Sequence, residues 1–370
     1  MTDLSRSGFR DEQDFALTGP LPQDPAAIET FNVWLHDGPA KLGVNLHPHA
    51  HDGVMSGSVT VFLPDGRVLR GQTEAGAFTD PRRPGNRHFR LDCERPFESW
   101  RYSVIELPMF EMSAQDLDRG PTAAGDPMHT VSVEVTAQAA APPWDWGNLL
   151  PEARQACTGR PGLWIANRLT HGRVEGVSYR YDQAIAAHGT VTVDGLAHDF
   201  DGTGLRGHVR GVRIMDGFET HAWMGGVFGS GLAFGVNTMY RSDGGFHVNE
   251  GYVFRDGVFY PNRVRYATEL DPASTDTDGF VVELVCDELG LTRITGRDVA
   301  KLWWAMGGPA KASAQPGSIA AGGLAFGRDL SVPRLMSQAL ARFECESGGD
   351  LDVGYGMDER SGWAATRDAR

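Results

Sequence analysis

Three basic side chains recur at every second position of the stretch RGHVRG: Arg206, His208 and Arg210. In an extended strand that spacing sets all three on one face. Turned toward an interior, they form a strongly positive site. An imidazole near neutral pKa gives or takes a proton, and guanidinium groups bind a ketone, enolate or carboxylate oxygen and stabilise developing negative charge. Turned toward solvent, the same residues keep a strand edge soluble. Close behind stand Arg213, Asp216, His221 and Trp223. Asp216 beside His221 is a candidate acid or base. Trp223 is either an apolar, cation-stabilising wall or barrel packing. Tyr240 offers a further aromatic wall, and FHVNEGYVF sets His247 and Asn249 on one face and Glu250 on the other.

Two more clusters carry titratable groups. In HPHAH, an extended backbone aligns His47, His49 and His51, a set that can bind zinc or copper; the flanking Pro48 and Asp52-Gly53 point instead to a loop mouth. His247, His208 and His221 meet only if the fold brings them together, and they lack tight ligand spacing, so no metal is assigned. Glu106 and Glu111 bracket an apolar strand end. A carboxyl in an apolar lining has a raised pKa and serves as a general acid; the plainer reading is an exposed strand-end acid.

These side chains need strands to hold them. TVTVDGLAHDFDG and GYVFRDGVFY alternate apolar and polar residues around Asp-Gly pairs, the signature of antiparallel hairpins. With 47 glycines and 21 prolines in 370 residues, the chain is punctuated into many short segments, so an all-β protein is expected. A polar arm covers 1–27, one β domain 28–155 and a second 160–362, with the boundary set by an Ala- and Pro-rich shift at 137–162 that includes a short helix at LLPEARQA. SAQDLDRGPTAAGDP (113–127) reads as a long loop, RFECE and DVGYGMDE as closing strands, and KLWWAM (301–306) as strand or short helix.

The net charge of −14 argues against broad nucleic-acid binding. Cys93, Cys157, Cys286 and Cys345 are widely spaced, the polar N-terminus has no apolar signal region, and no apolar run approaches the roughly 20 residues of a membrane helix. A cytoplasmic protein without a membrane span is expected, and a homodimer is left open. GxSxG, P-loop and dinucleotide signatures are missing; the Gly-rich GSGLAFG lies between strands. No cofactor is expected.

From YRYDQ through GTGLRGHVRGVR the sequence resembles the C-terminal domain of a bacterial family of two-domain, lipocalin-like β proteins. That family is related to carotenoid 1,2-hydratase (hydroxyneurosporene synthase), to AttH-type proteins, to kievitone hydratase and, more distantly, to the fungal lipocalin-like Diels-Alderases. Its pattern is a Tyr-Glu-Gln strand, a Val-Asp-Gly hairpin, then Gly-x-Gly-x-Arg-Asp-His-x-Trp-Gly-x-Arg. Gly202, Gly204, Arg206, His208, Gly211 and Arg213 match. GYVFRDG and GYGMDE resemble later landmarks, and FNVWLHDG and VFLPDGRV the opening strands. Asp182 stands where Glu is usual, Gly207 replaces the Asp before the His, Arg210 replaces the Trp, and Ile214 sits where an acid often follows. If that Asp is the proton donor in relatives, Asp216 or Asp201 has to substitute, or the chemistry differs.

The resemblance implies two consecutive lipocalin-like barrel or sandwich domains. It also implies a cofactor-independent lyase or isomerase (hydratase, dehydratase or cyclase) for an apolar terpenoid, steroid or polyketide-like substrate. His208, Asp216 and Arg206 would be catalytic; Arg213, His221, Trp223, Tyr240 and His247 would bind substrate. The alternatives are a non-catalytic lipocalin-like carrier of a hydrophobic metabolite, which the loss of Asp at 207 keeps open, and an interaction module with a solid interior.

Overall fold

Three Asp-Gly pairs set tight turns. Asp52–Gly53, Asp194–Gly195 and Asp256–Gly257 have positive φ at both residues, the geometry of a two-residue turn that matches the twist of antiparallel strands. The last two are the hairpins expected from the sequence. The first, expected as a loop mouth, is a tight turn with His51 paired to Val54. The computed structural model describes residues 9–19, 27–119, 125–145, 179–212, 219–241, 244–305, 326–347 and 350–364.

The first half contains β1 (Ala27–Asp37), β2 (Leu42–His51), β3 (Val54–Phe62), β4 (Arg67–Ala77), β5 (Phe89–Arg95), β6 (Ser99–Ser113), α1 (Ala114–Arg119), β7 (Gly125–Ala139), β8 (Trp144–Asp145), β9 (Tyr179–Val193) and β10 (Leu196–Val212). The pairing runs β10-β1-β2-β3-β4-β6-β7-β9, and β9 pairs again with β10, so the sheet closes on itself; β5 adds to β6 and β8 to β9. The second half, β11 (Thr220–Phe228), β12 (Ala233–Tyr240), β13 (Phe246–Arg255), β14 (Val258–Ala267), β15 (Gly279–Cys286), β16 (Gly290–Ala305), β17 (Arg334–Ser347) and β18 (Asp350–Trp363), is a closed antiparallel barrel in chain order.

The composition shift near 155–160 is therefore not where the sheets divide. β9 and β10 lie beyond it, yet Ala27–His36 pairs with Val212–Thr203 to close the first barrel. Without β10, β1 would expose a row of unpaired backbone groups. One local expectation changes and one open choice is settled. Ala114–Arg119 is a helix rather than loop, docked through Trp303 Nε1, which donates to Asp118 Oδ1 at 2.6 Å. Lys301–Ala305 is strand. The LLPEARQA segment lies outside the described residues.

Alternation sorts the side chains into three layers. Val44, Leu46, Val61, Val133 and Val191 fill the first barrel; Met224, Phe234, Val236, Val282 and Phe343 fill the second. Between the barrels lie Trp34, Leu205, Trp223, Tyr252, Leu340 and Met357. Burying each such side chain contributes about 1.5–3 kcal/mol. The barrels approach closely because Gly38 has no side chain: a Cβ there would fall 2.1 Å from the Tyr355 ring. No helix among the described residues is long and apolar enough to cross a membrane.

Candidate active site

In the β9–β10 pair, Tyr181 lies opposite His208, Asp182 opposite Gly207 and Gln183 opposite Arg206. Strand alternation sends Tyr181, Gln183, Arg206, His208 and Arg210 into the first barrel. It turns Asp182, Leu205, Gly207 and Val209 toward the second.

The inward face is a buried network completed by the N-terminal arm. Asp14, in a 3-10 turn over Asp11–Asp14, forms an ion pair with Arg206. It also accepts from Tyr181 Oη at 2.6 Å, Trp100 Nε1 at 2.9 Å and the Phe97 amide at 2.7 Å. Burial opposes the Arg206 charge, but Asp14 more than offsets it and holds the guanidinium above its ordinary pKa. Glu29 accepts from Arg210 Nη2 at 2.5 Å, His208 Nε2 at 2.9 Å and the Leu17 amide at 2.9 Å. Burial works to raise the Glu29 pKa, but His208, Arg210 and the Leu17 amide outweigh it and keep the carboxyl low. Burial holds His208 below its usual value, against the pull of Glu29. Both ring nitrogens of His208 face acceptors, Nε2 toward Glu29 and Nδ1 toward the Gln13 carbonyl oxygen at 3.2 Å. The cavity beside Arg206 measures about 20 Å³, room for one water.

The outward face is different. Asp182 is fully buried. Its Oδ2 accepts from Trp223 Nε1 at 2.8 Å, and Arg180 Nε lies 3.6 Å from its Oδ1. The Arg180 guanidinium stacks 5.0 Å from the Trp223 ring centroid. A Cβ on Gly207 would stand 2.6 Å from Asp182 Oδ1. The carboxylate therefore occupies the space that a side chain at 207 would take. Aromatic groups wall this seam: Trp144 lies 5.2 Å and Phe259 4.9 Å from the Tyr252 ring centroid. Burial pushes the Tyr252 hydroxyl well up, with Asp182 adding to the shift.

The other expected residues divide. His221 joins Trp223 on β11, with Nδ1 2.6 Å from Ser361 Oγ and Nε2 3.3 Å from Glu359 Oε1; Glu359 is the register partner of Trp223. Tyr240 is tied to the backbone instead, its hydroxyl donating to the Ala267 carbonyl at 2.9 Å. Arg213 and Asp216, and the side chain of His247, lie outside the described residues. His47, His49 and His51 are on β2, with the first two rings 4.6 Å apart. Glu111 accepts from His129 Nε2 at 2.8 Å, and Glu106 is exposed.

Sequence reasoning missed Asp14 and Glu29 as partners, Asp182 as the seam carboxylate, and a buried set in the second barrel. There, Asp298 Oδ2 lies 3.2 Å from Lys301 Nζ and 3.2 Å from Arg360 Nη2, and Asp358 pairs with Arg360 Nε at 2.6 Å. Burial and the adjacent Asp358 raise Asp298 well above the carboxylate range. Neither Asp298 Oδ1 nor Asp358 Oδ1 has a donor among the described residues; one shared proton satisfies both. The sequence does place Asp182 and Gly207 on strands that a Val-Asp-Gly hairpin joins, and the register makes them direct partners.

Two closed antiparallel barrels packed through a seam between β9–β10 and β11 make this an all-β, two-barrel protein. The family described as Domain of unknown function (DUF7064) matches residues 12–317, and the chain belongs to that family. Among solved structures, it is similar to a Nitrosomonas europaea protein described as AttH, at 12% identity and a TM-score of 0.51 over 93% of this chain and 98% of that one. It is similar to CghA at 12% identity and a TM-score of 0.50, over 96% of this chain and 98% of that one. Kievitone hydratase of Nectria haematococca aligns at 8% identity and a TM-score of 0.48, over 94% of this chain and 92% of that one. At such identities the likeness establishes the fold alone. No curated protein matches the chain.

Proposed function

We propose that the protein is a cofactor-independent acid–base lyase or isomerase, a hydratase, dehydratase or cyclase. Its substrate is an apolar terpenoid, steroid or polyketide-like molecule held at the seam between the barrels. The observation that carries this reading is the Asp182 carboxylate, buried among aromatic rings in the space beside Gly207, where the resembling hydratase-type proteins have an Asp. In this reading the proton donor is Asp182, on the opposite face of the β9–β10 hairpin from His208. Arg206 and His208 act as positioning residues that anchor β10.

In hydration, Asp182 must first take up a proton beside Arg180; that carboxyl then gives it to one alkene carbon, whose π pair becomes the new C–H bond. The faces of Trp223, Trp144 and Tyr252 shield the cation on the neighbouring carbon. Water adds there and returns a proton to Asp182, so the carboxyl is regenerated and the product is alkene plus water. Dehydration is the reverse, and capture of the cation by a second alkene gives a ring whose new cation loses a proton to the Asp182 carboxylate. Arg180 orients a substrate oxygen, and burial limits access of bulk water. Filled barrel interiors favour a seam site over a carrier that encloses its ligand within one barrel.

The test is solvent extraction of the purified protein and mass spectrometry of any apolar molecule it carries. That molecule is then incubated with fresh protein in deuterated water. Gain or loss of one water, or deuterium uptake, that disappears in Asp182→Asn is the expected result. An unchanged molecule, or equal conversion by Asp182→Asn, overturns the reading.

A further inference from the structure

Where the β1–β2 turn of the first barrel meets β16, β17 and β18 of the second, a cleft of about 450 Å³ opens, lined by His36, Lys41, Arg297, Asp298, Arg342 and Tyr355 among others. The volume falls in the range of small-molecule sites. In a chain of net charge −14, its side chains carry three cations against one carboxylate. That carboxylate, Asp298, is already engaged by Lys301 and Arg360. Arg342 is held by Glu344 at 2.5 Å, and Arg297 lies 3.8 Å from Asp278. Lys41 has no ion pair among the described residues.

His36 adds a directional feature. It is 1% exposed, and its Nδ1 lies 3.2 Å from each of two carbonyl oxygens, Ala341 and Gly356. Both partners are acceptors, so Nδ1 carries the hydrogen and Nε2 presents a lone pair. Burial lowers the His36 pKa to about 4, so the ring stays neutral near pH 7. Nε2 has no donor among the described residues. A buried acceptor without a donor costs stability; a ligand that brings an O–H removes that cost.

We propose that this cleft binds a small oxyanion carrying its own hydroxyl, the anion held by Lys41, Arg297 and Arg342 and the hydroxyl donated to His36 Nε2. A 2-hydroxy acid and hydrogen phosphate share that chemistry. The site is independent of the Asp182 seam.

Calorimetric titration of the full chain tests it, with glycolate, acetate and inorganic phosphate as probes. Glycolate binds, and acetate, which lacks the hydroxyl, binds roughly fivefold or more weakly. The tighter of glycolate and phosphate identifies the source. Lys41→Ala with Arg342→Ala weakens binding roughly tenfold or more with an unchanged thermal midpoint, and Asp182→Asn binds as wild type. Three results overturn the proposal: no binding of either glycolate or phosphate, equal binding of glycolate and acetate, or full binding by the Lys41/Arg342 double variant.

Discussion

The β9–β10 hairpin carries buried charge on both faces, but the two faces are built to different ends. Inside the first barrel, Arg206 and Arg210 are matched by Asp14 and Glu29, with donors from Tyr181, Trp100 and the backbone closing the set. At the seam, Asp182 sits among aromatic rings, next to a residue with no side chain, held by Trp223 and Arg180. The first arrangement locks the arm to the barrel and leaves space for one water. The second holds a carboxylate in apolar surroundings, against an indole N–H and a guanidinium. An Arg-His pattern on a strand is thus poor evidence for catalysis until its partners are known.

The comparison is most severely tested by Asp14→Ala. This change strips Arg206 of its buried counter-ion and should lower stability by about 3–5 kcal/mol, read as a shift of the urea midpoint. Added formate should recover part of the loss. Unchanged stability would mean that the arm does not lock the barrel. Asp182→Asn should do the opposite, lowering turnover by roughly 10²–10⁴ while moving the urea midpoint far less than Asp14→Ala does.

A pH titration sharpens the contrast on the outward side of β1. Burial lowers the His36 pKa to about 4 from 6.5, so the unfolded chain takes up the proton first and binds more protons within that window. Stability is therefore fully present above pH 6.5 and lost as pH falls toward 4, by about 3 kcal/mol from this group. His36→Gln should flatten that part of the stability profile. The smallest effect is expected from Gly207→Ala. Its Cβ would press on Asp182 Oδ1, costing about 1–3 kcal/mol and reducing turnover, and a smaller residue at 182 should relieve the stability loss.

Much of the local structure was legible. The Asp-Gly pairs marked hairpins because positive φ at two successive residues suits few other dipeptides. Period-two spacing correctly set Arg206, His208 and Arg210 on one face. The helix at Ala114–Arg119 was hidden by its short length and by the glycines and prolines that follow, and it is held by tertiary contact with Trp303.

By itself, then, the sequence determined the all-β class, the hairpin turns and which residues share a strand face, because these follow from backbone sterics and alternation over a few residues. Only the tertiary structure decided that the first barrel closes through β10, that Asp14 reaches Arg206 across 192 positions, and that Asp182 fills the space beside Gly207. Those outcomes depend on long-range pairing and on buried charges finding counter-charges, which no local pattern encodes.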